Sequence, residues 1–355
     1  MNIILTPFNK SNLSLKNHLV MAPMTRSRAI NNLPNDLMTE YYQQRSGAGL
    51  IITEGTSPSE SGLGYCRIPG IYSNEQIEAW KKVTDAVHKN GSKIFVQLMH
   101  TGRIGHIDNL PSNSKMIAPS KIKAEGKIFT DTKGMQEHSI PELLSTEEVY
   151  QVIEEYVQAS KNAMKAGFDG VELHGATGYL IEQFLNPHSN TRTDEFGGSV
   201  VNRAHFTISI VKKIADAIGN EKVAIRFSPF STFNDMPAYD NDEVHETYSY
   251  LSSELNKLNI AYLHLSINPS IPDKTMEAIR NNFNNTIIIC NGFNPDSAEK
   301  VLSEGIYDLV AFGSLFIANP DLDERIERKE LFNELDPSTF YTPTEKGYTD
   351  YPRLT

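Results

Sequence analysis

"GFDGVELHGATGYLIEQFLNPHSNTRTDEFGG", residues 167–198, decides how the rest of the chain is read. The stretch is apolar as far as Leu173; His174, Thr177 and Tyr179 then follow, spaced by Gly and Ala. A short segment apolar on nearly every residue reads as a strand buried on both faces, as in a parallel sheet covered by helices. Ending such a strand in titratable and hydroxyl groups leaves two readings of His174. It is either a hydrogen-bonded structural histidine or the edge of a site where something reacts.

Seven other segments share this build: HLVMAPM (18–24), LIITEGT (50–56), KIFVQLMH (93–100), VAIRFSP (223–229), AYLHLSI (261–267), TIIICNG (286–292) and DLVAFG (308–313). Between most of them lie segments of helical period, clearest at 73–90 and 145–167, each opened by a Ser/Thr cap and early acidic residues. Eight strands alternating with helices favour a closed (β/α)8 TIM barrel over an open doubly wound sheet. Barrels of 355 residues commonly form one domain, so residues 1–355 are expected to form a single one. Residues 101–144 break the rhythm after the third strand, with Pro, Gly and only short strand-like pieces such as KIFT. They are expected to cap the barrel mouth, where long loops carry function. The tyrosine-bearing tail, 332–352, is expected to pack as an ordered extension.

The balance of 44 Asp+Glu against 33 Lys+Arg, net −11, argues against non-specific binding to nucleic acid or anionic membrane. Cys66 and Cys290 make no disulfide framework, which suits a reducing compartment. With no basic-then-apolar leader and no run of ~20 apolar residues, a cytoplasmic protein is expected.

Active sites of such barrels sit at the carboxyl ends of the strands. Those ends carry Met24-Thr25-Arg26, Glu54-Gly55, Gln97 and His100, His174, Arg226, Asn291-Gly292 and Gly313-Ser314. Each alone has a structural explanation, but together they form a ring of hydrogen-bonding groups that is costly unless a polar ligand satisfies it. No Rossmann or P-loop glycine pattern and no zinc-ligand spacing occurs, so no metal is expected. Glycines after strands seven and eight, each soon followed by a helix, suit a phosphate cradle. The residues alone therefore indicate a barrel enzyme with a phosphorylated cofactor or substrate.

The blocks "MAPMTRSRA", "ITEGT", "VQLMHTGR", "HGATGYLIEQFLNPHSNTRTDEFGGS…NR", "RFSPF", "AFGSLFIANPDL" and "GYTDYP" resemble, in order and over essentially the whole chain, the old yellow enzyme family of FMN-dependent ene-reductases. The resemblance implies tightly bound, non-covalent FMN held by main chain near Pro23 and Met24, by Thr25, Gly55, Gln97 and Arg226, with phosphate loops at Gly292, Phe293, Gly313 and Ser314. Arg226 would stabilise the anionic reduced ring by roughly 1.5–3 kcal/mol. It also implies NADPH or NADH as hydride source and an activated alkene as acceptor: an α,β-unsaturated carbonyl compound, a maleimide or a nitroalkene. In that scheme His174 and Thr177 bind the substrate oxygen, the flavin delivers hydride to Cβ, and Tyr179 protonates Cα. Tyr65 and Tyr348 match pocket-lining positions, and a monomer or homodimer is expected.

Two positions depart from the family pattern. Thr177 stands where Asn or His is usual, and Ser314 where Arg is frequent. Met99 replaces a frequent Trp, Cys66 reads as unreactive packing, and Glu54 as a supporting group. The competing readings are an FMN-binding protein with little turnover, a nitro or nitrate-ester reductase, and a sugar-phosphate barrel. The last needs a catalytic Lys or Glu, and no Lys stands at a strand end.

Overall fold

The computed structural model describes residues 2–10 and 13–355. Eight strands, β1 (Leu19–Met21), β2 (Leu50–Ile52), β3 (Lys93–Leu98), β4 (Gly170–Gly175), β5 (Val223–Phe227), β6 (Tyr262–Ser266), β7 (Thr286–Cys290) and β8 (Leu309–Phe312), close in chain order into a barrel. Every neighbouring pair is parallel, including β8 with β1. The (β/α)8 expectation is met, and so are all eight strand positions. Each strand stops one to four residues before the expected carboxyl end, most at β2, which ends at Ile52 where the apolar run suggested Thr56. Past Ile52 the pairing continues irregularly, the Thr53 and Thr56 amides donating to the Phe95 and Gln97 carbonyls, and such residues form the rim.

The crossover helices α1 (Asp36–Gln44), α2 (Asn74–His88), α3 (Thr146–Lys165), α4 (Val200–Ile218), α5 (Asn241–Lys257), α6 (Asp273–Asn282) and α7 (Pro295–Ser303) surround it, with Leu322–Arg328 after β8. Capping boxes start α2 (Ser73 with Gln76) and α3 (Ser145 with Glu148), each satisfying two backbone donors reciprocally. The main apolar layer lies between barrel and helices, with Trp80, Val96, Ile153, Leu173 and Ile225 all fully buried. Inside the barrel a smaller apolar cluster joins Val20, Leu50, Phe95 and Ile288 to Phe8, Leu13 and Leu15. Those last three belong to a hairpin (Phe8–Lys10 with Leu13–Leu15) that precedes β1 and packs against the barrel interior. No helix of the described residues is long and apolar enough to cross a membrane.

Residues 101–144 contain a parallel pair (Ile117–Ala118 with Glu142–Leu143) and an antiparallel hairpin (Lys127–Thr130 with Gly134–Glu137). The hairpin forms part of the wall above the strand ends, as a capping insertion should. The tail forms another part, anchored by three arginines from the start of the chain. Arg28 donates to the carbonyls of Thr339, Phe340, Thr344 and Lys346. Arg26 donates to those of Phe340 and Gly347, and Arg45 to that of Tyr348. At Gly347, φ is +65° and a Cβ would sit 1.8 Å from Thr339 Oγ1, so only glycine fits.

Candidate active site

A cavity of about 860 Å³ opens at the carboxyl ends of the strands. Pro23, Thr25, Gly55, Gln97, His174 and Arg226 line its floor side, and Tyr65, Met99, Thr177 and Tyr179 also face it. Lys127, Ile128, Phe129 and Met135 of the hairpin, Phe233 and Asn234 after β5, and Ser338, Tyr341, Thr342 and Pro343 of the tail complete the wall. Nothing in the local pattern of the last two segments marked them as site residues. Their role follows from tertiary placement.

The register sets the floor. His174 on β4, Arg226 on β5 and His264 on β6 are Cα partners in one row across three strands. Gln97 and Glu172 pair likewise, and Gln97 Nε2 donates to Glu172 Oε1 at 2.8 Å. Glu172 Oε2 meets His264 Nδ1 at 2.9 Å. The Nδ1 of His174 and the Nε of Arg226, both buried, have no protein partner. Each such orphan costs on the order of 1–3 kcal/mol, which a ligand in the cavity would recover. Burial, with help from Arg226 and His264, holds His174 well below the ordinary histidine value. It is a neutral imidazole, a hydrogen-bond donor and not an acid.

Thr177 Oγ1 lies 3.4 Å from His174 Nε2. Thr177 (φ +53°) and Gly178 (φ +83°) are successive left-handed residues, which turn the chain from β4 into the helix Leu180–Leu185. A β-branched residue is strained in that conformation. The turn is held from both sides. The Thr177 amide donates to Ser228 Oγ at 2.7 Å, the Gly178 amide to Glu182 Oε2 at 2.6 Å, and Asn234 Nδ2 to the Thr177 carbonyl at 2.8 Å. Glu182 has no cation against it, and burial lifts it to about 7.

Tyr179 follows the turn, its ring edge-on to His174 with centroids 4.7 Å apart. Its hydroxyl donates to Tyr65 Oη at 3.1 Å. Burial raises Tyr179 above the ordinary phenol value, so it carries its proton at neutral pH.

Several expected residues lie elsewhere. Tyr348 does not reach the cavity. It is fully buried and stacked on Tyr41 at 4.0 Å, with the Arg28 guanidinium 4.6 Å from its ring centre. A pattern of aromatics in a loop gives no direction, and here the cationic anchors pulled the ring inward. The Met24 side chain packs against the core and not among the lining residues. Gly292, Phe293, Gly313 and Ser314 lie outside the cavity wall, together at the adjoining ends of β7 and β8, two or three residues past the paired Cys290 and Ala311. His100 is structural: Nδ1 accepts the Gly102 amide, Nε2 meets Ser61 Oγ, and burial lowers it to about 3. Cys66 lines the cavity, and burial raises its thiol. Glu54 accepts the Arg26 amide at 3.0 Å, and burial lifts it to about 7 despite Arg26 and Arg28 nearby.

Residues 4–332 match the NADH:flavin oxidoreductase / NADH oxidase family. 12-Oxophytodienoate reductase 1 of Oryza sativa subsp. japonica is 40% identical over 362 residues, spanning 99% of this chain and 93% of that protein. Among solved structures, morphinone reductase superposes with a TM-score of 0.94 at 39% identity, covering 100% of this chain and 97% of its own. The old yellow enzyme homologue from Zymomonas mobilis gives a TM-score of 0.94 at 36% identity, covering 99% of both chains. The chain belongs to the NADH:flavin oxidoreductase / NADH oxidase family, the old yellow enzymes, and is an FMN-dependent NAD(P)H oxidoreductase.

Proposed function

We propose that this protein reduces carbon–carbon double bonds conjugated to a carbonyl or nitro group. The observation that carries the reading is the grouping of a neutral imidazole, a hydroxyl and a protonated phenol, His174, Thr177 and Tyr179, on one cavity above Arg226. The reductases of 12-oxophytodienoate and morphinone at about 40% identity support it.

The residues present fit FMN. Arg226 brings a buried guanidinium with an unpartnered Nε–H to the cavity floor, and Gln97, Thr25 and Gly55 line the floor beside it. Gly292, Phe293, Gly313 and Ser314 would meet the phosphate through main-chain N–H groups and the Ser314 hydroxyl. Held there, FMN would supply the hydride-transfer chemistry between NAD(P)H and the substrate. His174, with Thr177 beside it, donates a hydrogen bond to the substrate oxygen, where negative charge grows as the double bond is reduced. Tyr179 supplies the proton to Cα, and Tyr65 holds that phenol by the contact between their hydroxyls. Phe129, Met135, Phe233 and Tyr341 give the mouth an apolar lining that favours hydrophobic acceptors over sugars.

Purified holoprotein tests the reading directly. Its yellow colour is expected to bleach with NADPH under nitrogen and to return on adding an enone, with the saturated product formed. Bleaching that no enone, maleimide or nitroalkene reverses would overturn it.

A further inference from the structure

The floor residue Arg226 is held unlike the other buried arginines. Arg26, Arg28 and Arg45 each reach two or more backbone carbonyls, whereas the Arg226 side chain has a single partner among the described residues. Its Nη2 donates to Cys290 Sγ at 3.3 Å, reaching from β5 past β6 to the last residue of β7. Among the described residues no carboxylate lies within ion-pair distance of this guanidinium. On the strand between them, His264 is Cα partner to Arg226, fully buried, tied at Nδ1 to Glu172, and without a hydrogen-bond partner at Nε2. Cys290 itself is 2% exposed. One nine-tenths-buried donor thus reaches the sulfur from Arg226, and an unpartnered imidazole nitrogen lies on the strand between them. A neutral thiol is a poor acceptor, and a thiolate is a strong one.

We propose that Cys290 is the counter-ion of Arg226, a positioning residue that offsets the guanidinium's charge beneath the cofactor and so sets the reduction potential of bound FMN. The proposal rests on the reading that Arg226 faces the flavin ring. Burial pushes the thiol up, but Arg226 and His264 together outweigh it and bring Cys290 down to about 6. Burial likewise opposes a charged His264, yet Glu172 and Cys290 hold it above the ordinary histidine value. With a charged Cys290 sulfur against the Arg226 guanidinium, the floor is balanced at that contact. Without the sulfur's charge it carries one net positive charge, which stabilises a reduced, anionic ring. Cys290 therefore lowers the potential and keeps the reduced cofactor a stronger hydride donor.

The test uses holoenzyme in a Cys66→Ser background. The Cβ resonance of isotope-labelled Cys290 followed against pH is expected to show ionisation near 6, with Arg226, His264, Glu172 and His174 as the charged or titratable groups facing it. Midpoint potentials are read by dye equilibration. Cys290→Ser and Cys290→Ala should both raise the potential, and Arg226→Met should lower it and return Cys290 toward an ordinary thiol. An ordinary thiol titration in the parent overturns the counter-ion. A potential that moves in Arg226→Met but in neither Cys290 variant also overturns it, while leaving Arg226 at the flavin. A potential unmoved by Arg226→Met removes the underlying reading, and the proposal falls with it.

Discussion

Replacing Thr177 with Asn should improve the site in two separable ways. The first is conformational. At φ +53° Thr177 occupies the left-handed region, which costs an L-residue roughly 1–2 kcal/mol and which Asn tolerates better than a β-branched side chain. Asn should recover about 1 kcal/mol of stability, read as a higher thermal midpoint of the holoenzyme. The second is chemical. The Thr177 hydroxyl supplies one donor and lies 3.4 Å from His174 Nε2, whereas a carboxamide supplies two N–H groups and reaches further. One added hydrogen bond to a phenol oxygen contributes about 0.5–1.5 kcal/mol if neutral and 1.5–3 kcal/mol if ionised. That corresponds to roughly twofold to tenfold tighter binding of a phenol, and roughly tenfold to a hundredfold for a phenolate. The assay is a flavin absorbance titration with a series of phenols. Thr177→Gly serves as the control, since it relieves the backbone and brings no donor. Equal or tighter phenol binding by the natural protein would refute the assignment of this turn to the substrate oxygen, whatever the melting temperature does.

Tyr179→Phe should leave NADPH bleaching of the flavin unchanged and slow its reoxidation by an enone by about 10²–10⁴-fold. A quinone, which needs no proton at carbon, should reoxidise both proteins alike, and stopped-flow absorbance separates the steps. Ser314→Arg should tighten FMN by roughly tenfold to a hundredfold in equilibrium dialysis, the value of one charge-assisted phosphate bond. No change would mean that main-chain donors already satisfy the phosphate. Glu54, at about 7 in the fold against 4.5 for an ordinary glutamate, binds more protons folded than unfolded between those values. Its contribution to stability is therefore present at acid pH and lost as pH rises through that window, by on the order of 3 kcal/mol. Glu54→Gln keeps the acceptor for the Arg26 amide, and denaturation midpoints measured from pH 5 to 7 should depend less on pH than in the parent.

The barrel was legible because a strand covered on both faces must be apolar throughout, and each of the eight runs, from Leu19 to Phe312, obeys that constraint. The strand ends were overread because pairing becomes irregular at the rim without stopping: past Ile52 the Thr53 and Thr56 amides still donate to the Phe95 and Gln97 carbonyls. The hairpin Phe8–Leu15 and helix α1 went unread: one is too short and the other too polar to show a period. Residues carried on the strands themselves, such as Gln97, His174 and Arg226, could be placed from position alone, since a barrel gathers its strand ends. Tyr348 could not, because what orients it is a set of guanidinium groups brought from the opposite end of the chain. The contact of Arg226 with Cys290 was equally hidden, since it depends on a register across two strand gaps.

The arginine anchor of the tail grips almost entirely main-chain oxygens, with Thr342 Oγ1 the one side-chain acceptor for Arg28. Every amino acid offers that same carbonyl, so these bonds ask for no particular side chain, and the side-chain demands fall on Phe340, Thr342, Gly347 and Tyr348. Ser338, Tyr341 and Pro343 face the chamber from a scaffold that does not depend on them. Diversifying these three positions is a route to new acceptor preferences that leaves the hydride and proton machinery intact.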